Sequence, residues 1–247
     1  MSTTIELDDG DFSAYVATPA GPVRGGIVVI HEIWGLQDHI TDIADRFAAE
    51  GYLAVAPDLL SHVGLAPDVG AELLRLRTSA DPAEQTRVQP MMREKMAPMR
   101  APQYADWAVQ ALRHTVDYTA GQPGVVNRVG VVGYCFGGSY SFALAAADDR
   151  ILVAVPFYGS PPEQTEIAAI HCPVLAFYGD RDERLMDSLP AVTDAMAKAG
   201  VDFTAKVYPG VGHAFFNDRN PHSYDATAAA DAWQRTLTAL QSGIPAV

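Results

Sequence analysis

The sequence predicts an α/β fold with a mostly parallel, twisted central sheet and helices on both faces. Short β-branched runs alternate with longer helical patterns along most of the 247 residues, and this alternation favours a parallel sheet. A glycine-rich junction at residues 133–138 joins one predicted strand directly to one predicted helix. Because no linker-like stretch divides residues 1–247, we expect a single domain.

Eight strands are predicted from short apolar and β-branched runs. The first two flank an Asp-Asp-Gly-Asp turn, which predicts an opening hairpin. The third is apolar on both faces and is therefore expected inside the sheet. The predicted strands cover residues 3–7, 12–17, 26–30, 53–56, 129–132, 151–155, 174–177 and 203–207.

Helical patterns fill the connections, at about residues 40–47, 104–118, 139–147, 163–170, 185–199 and 225–241. Between residues 59 and 101 the regular alternation is lost, and prolines separate segments of helical composition at 69–78, 82–88 and 91–99. We expect these short helices to form an insertion over the top edge of the sheet. Its methionines suit either gap-filling in a core or an adaptable pocket, and they are Met91, Met92, Met96 and Met99.

The formal net charge of −13 argues against nucleic acid or an anionic membrane as a partner. No apolar run approaches the roughly 18 residues that span a bilayer, and the first ten residues lack the layout of a signal peptide. Only Cys135 and Cys172 are present, so a disulfide framework is not expected. We expect a soluble, cytoplasmic protein in which Cys172 is buried and structural.

The strand–helix junction has the pattern G-x-C-x-G, formed by Gly133, Cys135 and Gly137. A residue at the centre of such a sharp turn projects beyond the sheet edge, and strand and helix pass too closely for side chains at the flanking positions. The positive N-terminus of the following helix favours a thiolate. We therefore interpret Cys135 as a nucleophile. An inert buried cysteine fits less well, and a dinucleotide loop would need G-x-G-x-x-G.

Residues beyond the carboxyl ends of parallel strands supply the expected partners of Cys135. His213 follows the last strand, and a histidine titrates near neutrality as a general base should. For the carboxylate that orients it we favour Asp182 over Asp180, which is expected to stabilise the turn. The order nucleophile, acid, base is that of α/β-hydrolases. The His31-Glu32 pair lacks the second histidine of H-E-x-x-H, so no zinc site is predicted.

The chain resembles the dienelactone hydrolases (carboxymethylenebutenolidases) of the α/β-hydrolase superfamily along nearly its whole length. The resemblance implies that Cys135 is the nucleophile, His213 the base and Asp182 the acid. It also implies that Glu32 contacts the resting thiol and helps to generate the thiolate when substrate binds. The backbone N–H groups of Ile33 and Phe136 match the oxyanion-hole donors. The motifs that carry the resemblance lie at 31–36, 57–59, 132–138, 157–159, 178–182 and 212–215.

The activity implied by this resemblance is hydrolysis of small lactones or esters through a thioester, without a metal or organic cofactor. The sequence departs from the family four residues after the base, where Asn217 replaces an arginine that binds the substrate carboxylate. The nearest arginine is Arg219, so an ester or lactone other than dienelactone is equally compatible. A second arginine could come from the insertion, where the candidates are Arg75, Arg77, Arg87, Arg93 and Arg100.

Three aromatic residues are expected either to line the substrate pocket or to pack in the core: Trp34, Tyr134 and Tyr158. The alternative functions are transfer of the acyl group to another acceptor, a carboxylesterase or peptide hydrolase of different specificity, a non-catalytic ligand-binding module and a redox-sensing thiol. The expected partner is a small-molecule ester or lactone, and the chain is expected to be a monomer or weak homodimer.

Overall fold

The computed structural model of the protein describes residues 1–245. The prediction of a mostly parallel α/β sheet is confirmed, and the strands of the described chain form one eight-stranded sheet. These strands are β1 (Ser2–Leu7), β2 (Phe12–Ala17), β3 (Gly25–Ile30), β4 (Tyr52–Pro57), β5 (Val129–Tyr134), β6 (Ile151–Phe157), β7 (Val174–Gly179) and β8 (Phe203–Tyr208).

The strand order across the sheet is β1-β2-β4-β3-β5-β6-β7-β8. Strand β1 pairs antiparallel with β2, and β2 pairs antiparallel with β4, whereas all remaining neighbours are parallel. Every residue of β3, β4 and β5 is buried. These central strands read as continuous apolar runs because both of their faces are covered.

The helices are α1 (Asp38–Ala49), α2 (Pro67–Arg77), α3 (Pro82–Lys95), α4 (Pro102–Ala120), α5 (Phe136–Ala147), α6 (Gln164–Ile167), α7 (Glu183–Ala199) and α8 (Ala226–Gly243). Proline is the first residue of α2, α3 and α4, a position where its missing N–H costs no hydrogen bond. In residues 1–245 no helix combines the length and apolar character needed to cross a membrane.

Two adjacent residues of β3 show that helices cover both faces of the sheet. Side-chain positions alternate between the two faces along a strand. A Cβ on Gly25 would meet Ile244, just beyond α8, whereas a Cβ on Gly26 would meet Thr119 of α4. Helix α5 contacts α4, and the Phe47 ring of α1 meets the Trp233 ring of α8, with centroids 4.7 Å apart.

The insertion between β4 and α4 forms a small apolar core of its own over the sheet edge. It buries Met96 and contacts the partly buried Met91, Met92 and Met99, so these methionines fill a core. The prediction of separate helices at 82–88 and 91–99 is wrong, because α3 continues through Pro90. Proline is tolerated there since Val88 is the only buried residue of this helix, and water can bond the carbonyl that Pro90 leaves without a donor.

Candidate active site

The predicted nucleophile lies at a strained turn between β5 and α5. Cys135 has φ 55° and ψ −108°, a backbone conformation that residues with a side chain rarely adopt. A Cβ on Gly133 would overlap the carbonyl of Gly137, and a Cβ on Gly137 would overlap the carbonyl of Ile30. The two glycines of the G-x-C-x-G pattern therefore let α5 start against the ends of β5 and β3.

The structure brings together the three residues predicted as nucleophile, base and acid. Cys135 Sγ lies 3.1 Å from His213 Nε2, and His213 Nδ1 lies 2.5 Å from Asp182 Oδ2. Each of them follows the carboxyl end of a parallel strand: β5, β8 and β7 respectively. Asp180 lies apart from this chain of contacts, and its carboxylate accepts a hydrogen bond of 2.7 Å from the Gly210 N–H.

The pKa values of His213 and Asp182 shift in opposite directions. Burial lowers the pKa of His213, but hydrogen bonds to Asp182 and Cys135 outweigh burial and raise that pKa to about 10. Burial raises the pKa of Asp182, and the hydrogen bond and charge of His213 outweigh burial and leave that pKa below its ordinary value. An imidazolium facing a carboxylate on one side can stabilise a thiolate on the other.

Two backbone N–H groups near the sulfur fit the role of oxyanion-hole donors. Phe136 is the first residue of α5, so its N–H has no carbonyl in a preceding turn to bond. Within residues 1–245, the Ile33 N–H also makes no hydrogen bond to a loop carbonyl or side chain. Ile33 and Cys135 line the same cavity. An N–H pair of this kind can stabilise a carbonyl oxygen that becomes negative during attack.

Glu32 is 3% exposed and is held by two side chains from other parts of the chain. The Tyr158 hydroxyl donates a 3.0 Å hydrogen bond to Glu32 Oε1, and Asn217 Nδ2 donates one of 2.5 Å to Oε2. Cys135 contacts His213 and makes no hydrogen bond to Glu32. The resting contact between Glu32 and the thiol that the resemblance implies is therefore not formed in this structure.

The sulfur opens into a cavity of about 590 Å³, here called the catalytic cavity. A second cavity of about 540 Å³ adjoins it. Three residues line both and form the partition between them, namely Glu32, Trp34 and Thr78. The second cavity extends along the start of α1 and the face of α2. A substrate carbonyl at Cys135 therefore has room for one substituent beside the sulfur and a neighbouring space for another.

The residues predicted to bind substrate lie in three different environments. Trp34 lines both cavities, as expected of a pocket residue. Arg219 lines the second cavity, away from the sulfur, and its side chain is 60% exposed. Tyr134 and Tyr158 line neither cavity. Tyr134 packs between Phe157 and Phe216 in the core, because its position in β5 faces the interior, and Tyr158 lies behind Glu32.

Some residues of the site were missed or left undecided by sequence reasoning. Of the five candidate arginines of the insertion, Arg77 lines the catalytic cavity and Arg75 lines the second one. His222 also lines the catalytic cavity, and its Nε2 lies 3.0 Å from the Thr78 carbonyl. The sequence indicated only that Asn217 stands where related proteins have an arginine. Its spacing of four residues from the predicted base was the signal that its side chain reaches the site.

Comparison with known proteins agrees with the site and fold. The model of the dienelactone hydrolase family matches residues 12–243. A protein of Saccharolobus solfataricus, provisionally named carboxymethylenebutenolidase, is 32% identical over 96% of both chains. A provisionally named dienelactone hydrolase structure from Klebsiella pneumoniae has a TM-score of 0.80 and 27% identity, covering 97% of this chain and 98% of its own.

A more distant structural neighbour shares the fold. It is a metagenomic protein described as a dienelactone hydrolase-like promiscuous phosphotriesterase, with a TM-score of 0.75 and 23% identity over 99% of both chains. Its similarity shows that the two proteins share a fold over nearly their whole length. With a family match over nearly the full length and a close structural relative, this chain belongs to the dienelactone hydrolase family and is a hydrolase of the carboxymethylenebutenolidase type.

Proposed function

We propose that the chain hydrolyses small lactones or esters through a Cys135 thioester. The observation that carries the proposal is the continuous contact from Cys135 Sγ to His213 Nε2, at 3.1 Å, and from His213 Nδ1 to Asp182, at 2.5 Å. This contact ends in a cavity large enough for a small organic substrate. A nucleophile bonded to a base that a third group orients is the general arrangement of covalent acyl transfer.

The first half of the reaction transfers the acyl group to sulfur. The Cys135 thiolate attacks the carbonyl carbon, a C–S bond forms, and the carbonyl electron pair moves to oxygen near the N–H groups of Ile33 and Phe136. As the intermediate collapses, the C–O bond to the leaving group breaks. His213 gives its proton to the departing alkoxide, which in a lactone remains attached to the acyl group.

The second half releases the acid and restores the enzyme. Acylation removes the negative charge of sulfur, so His213 loses one of the two groups that raise its pKa and becomes a better acceptor for a proton of water. Water attacks the thioester carbon while His213 takes that proton. The C–S bond then breaks, and the acid leaves together with regeneration of the thiolate and the protonated imidazole. Asp182 keeps the imidazole in the required tautomer throughout.

The test compares wild type with Cys135→Ala, using p-nitrophenyl acetate and cis-dienelactone as substrates. Cys172→Ala is the matched control, because Cys172 is buried and takes no part in the site. We expect Cys135→Ala to abolish turnover and Cys172→Ala to retain it, and we expect mass spectrometry of quenched wild-type enzyme to show acyl-Cys135. If the Cys135→Ala variant is as active as wild type, the proposed mechanism is wrong. Turnover of the acetate alone would retain the mechanism and remove dienelactone as a substrate.

A further inference from the structure

Three side chains from separate loops meet behind the catalytic cysteine, and we call them the Glu32 cluster: Glu32, Tyr158 and Asn217. All three are buried, with exposed fractions of 3%, 1% and 1% respectively. Each oxygen of the Glu32 carboxylate accepts one hydrogen bond, from the Tyr158 hydroxyl and from Asn217 Nδ2. Both oxygens of Glu32 are therefore bonded to groups other than the thiol.

The Asn217 side chain is fixed at both ends of its amide. While Nδ2 donates to Glu32, Oδ1 accepts a 3.0 Å hydrogen bond from the Arg219 N–H. The Asn217 N–H also donates to the carbonyl of Ala214, at 3.1 Å, next to the base. The amide therefore ties the loop that carries His213 to the carboxylate at the end of β3.

Tyr158 is held equally firmly and contacts the base directly. Its backbone has φ 37°, a strained value for a residue with a side chain, and its N–H donates a 2.7 Å hydrogen bond to the carbonyl of Phe177. Its ring lies 5.0 Å from the His213 ring, measured between centroids. The hydroxyl that anchors Glu32 thus belongs to the side chain that supports the imidazole.

We propose that Asn217 and Tyr158 are positioning residues that hold Glu32 off the thiol, so that Cys135 is paired with His213 before any substrate binds. A thiol has a single proton to donate, and in this structure the Cys135 sulfur is paired with His213 Nε2, at 3.1 Å, and not with Glu32. Activation then requires no charged group on the substrate. This inference rests on the proposed function and narrows it to substrates that include neutral esters and lactones.

The importance of the two hydrogen bonds to Glu32 follows from what this carboxylate would do if one of them were lost. Glu32 and Cys135 line the same cavity, and a buried carboxylate that loses a donor gains most by finding another. The S–H of Cys135 is such a donor. A thiol that donates to Glu32 cannot donate to His213, and a nearby carboxylate opposes formation of the thiolate. The two hydrogen bonds to Glu32 therefore favour the reactive arrangement of the cysteine.

The first experiment measures alkylation of the unliganded wild-type enzyme by iodoacetamide, a neutral reagent. Cys172 is an internal reference, because burial raises the pKa of its thiol to about 11. We expect Cys135 to react at pH 7 at least tenfold faster than Cys172, with no acceleration by added succinate as a carboxylate ligand. Slow alkylation that succinate accelerates tenfold would show activation by the ligand and overturn the inference. Turnover of neutral p-nitrophenyl acetate should likewise not rise when succinate is added.

The second experiment removes the anchoring amide. Asn217→Ala should slow alkylation of Cys135 at pH 7 at least tenfold. Asn217→Asp keeps the shape and the acceptor for the Arg219 N–H but places a second carboxylate against Glu32, so the pH profile of alkylation should gain a new titration. Gln234→Ala is the matched control, since it removes an amide from the exposed surface of α8, and it should leave the rate and profile unchanged.

Circular dichroism establishes that each variant is folded before its rate is interpreted. If Asn217→Ala does not fold, Tyr158→Phe decides the question, because it removes the donor to the other oxygen of Glu32 and should also slow alkylation. A folded variant with the wild-type rate and pH profile would overturn the inference. That outcome is distinct from failure of the proposed function, which is judged separately by turnover of Cys135→Ala.

Discussion

Replacing Asp182 with asparagine keeps the size of the side chain and removes the charge that faces His213. The carboxylate oxygen lies 2.5 Å from Nδ1 and its side chain is 11% exposed. Loss of one charged hydrogen bond of about 1.5–3 kcal/mol corresponds to roughly a 10- to 150-fold slower reaction. The amide can also present N–H to Nδ1, which selects the wrong tautomer and can extend the loss to about 10⁴-fold. We expect kcat to fall within this range.

The matched variant is Asp180→Asn, two residues away. Asp180 contributes one acceptor to the Gly210 N–H, and asparagine retains an oxygen for that role, so we expect less than about a threefold loss. The assay is steady-state hydrolysis of p-nitrophenyl acetate by both variants, with acyl-enzyme formation followed by stopped flow. Equal losses in the two variants would refute the assignment of Asp182 as the acid.

The same pair gives a pH window for stability. The pKa of Asp182 is lowered from 3.8, so its contribution is present above pH 3.8 and is lost as the pH falls through the lower value of the folded state. The pKa of His213 is raised from 6.5 to about 10, so its contribution is complete below pH 6.5 and is lost as the pH rises through 10. Urea unfolding should therefore show the largest difference between wild type and Asp182→Asn at pH 4–6.5, and a much smaller one above pH 10.

Three further predictions concern stability. Gly137→Ala introduces a backbone overlap and should cost at least 2 kcal/mol or prevent folding, whereas Gly21→Ala has open space and should change the urea midpoint little. Arg150→Ala leaves the buried carboxylate of Asp148 without its charged partner, although the backbone N–H of residue 150 still bonds it, and should cost about 3 kcal/mol in the same assay; a loss below about 0.5 kcal/mol would contradict this. Asp225→Ala removes the side chain that caps the N-terminus of α8 and should cost about 1 kcal/mol, measured by thermal unfolding. An unchanged Tm would contradict this prediction.

The sheet and the three central site residues were predictable because they depend on local pattern and chain order. The glycines around Cys135 are dictated by close backbone approach, and that requirement is visible in the sequence itself. Parallel strands bring their carboxyl ends to one edge, so residues far apart in sequence, such as Asp182 and His213, could be expected to meet. The opening hairpin and all the strands followed from the same kind of pattern.

Other features depend on the direction of a side chain, or on whether a helix tolerates a proline, and no local sequence pattern reveals either. Pro90 predicted a helix end, but an exposed helix absorbs the missing hydrogen bond. Tyr134 and Tyr158 looked equivalent in sequence, yet one faces the core and the other faces Glu32. Arg219 is near His213 along the chain and still lies in the second cavity. The two hydrogen-bond donors to Glu32 could not be inferred, because the absence of an arginine at position 217 does not show which new contact replaces it.

The partition between the two cavities can determine which substrates fit without taking part in the reaction. Trp34 forms part of that wall but belongs to neither the cysteine–histidine contact nor the hydrogen bonds around Glu32. We expect a smaller residue at this one position to enlarge the space between the two cavities while leaving Cys135, His213 and Asp182 in place. Substrate range in this scaffold can thus change by single substitutions in the partition, a property useful to natural divergence and to laboratory selection for bulkier esters.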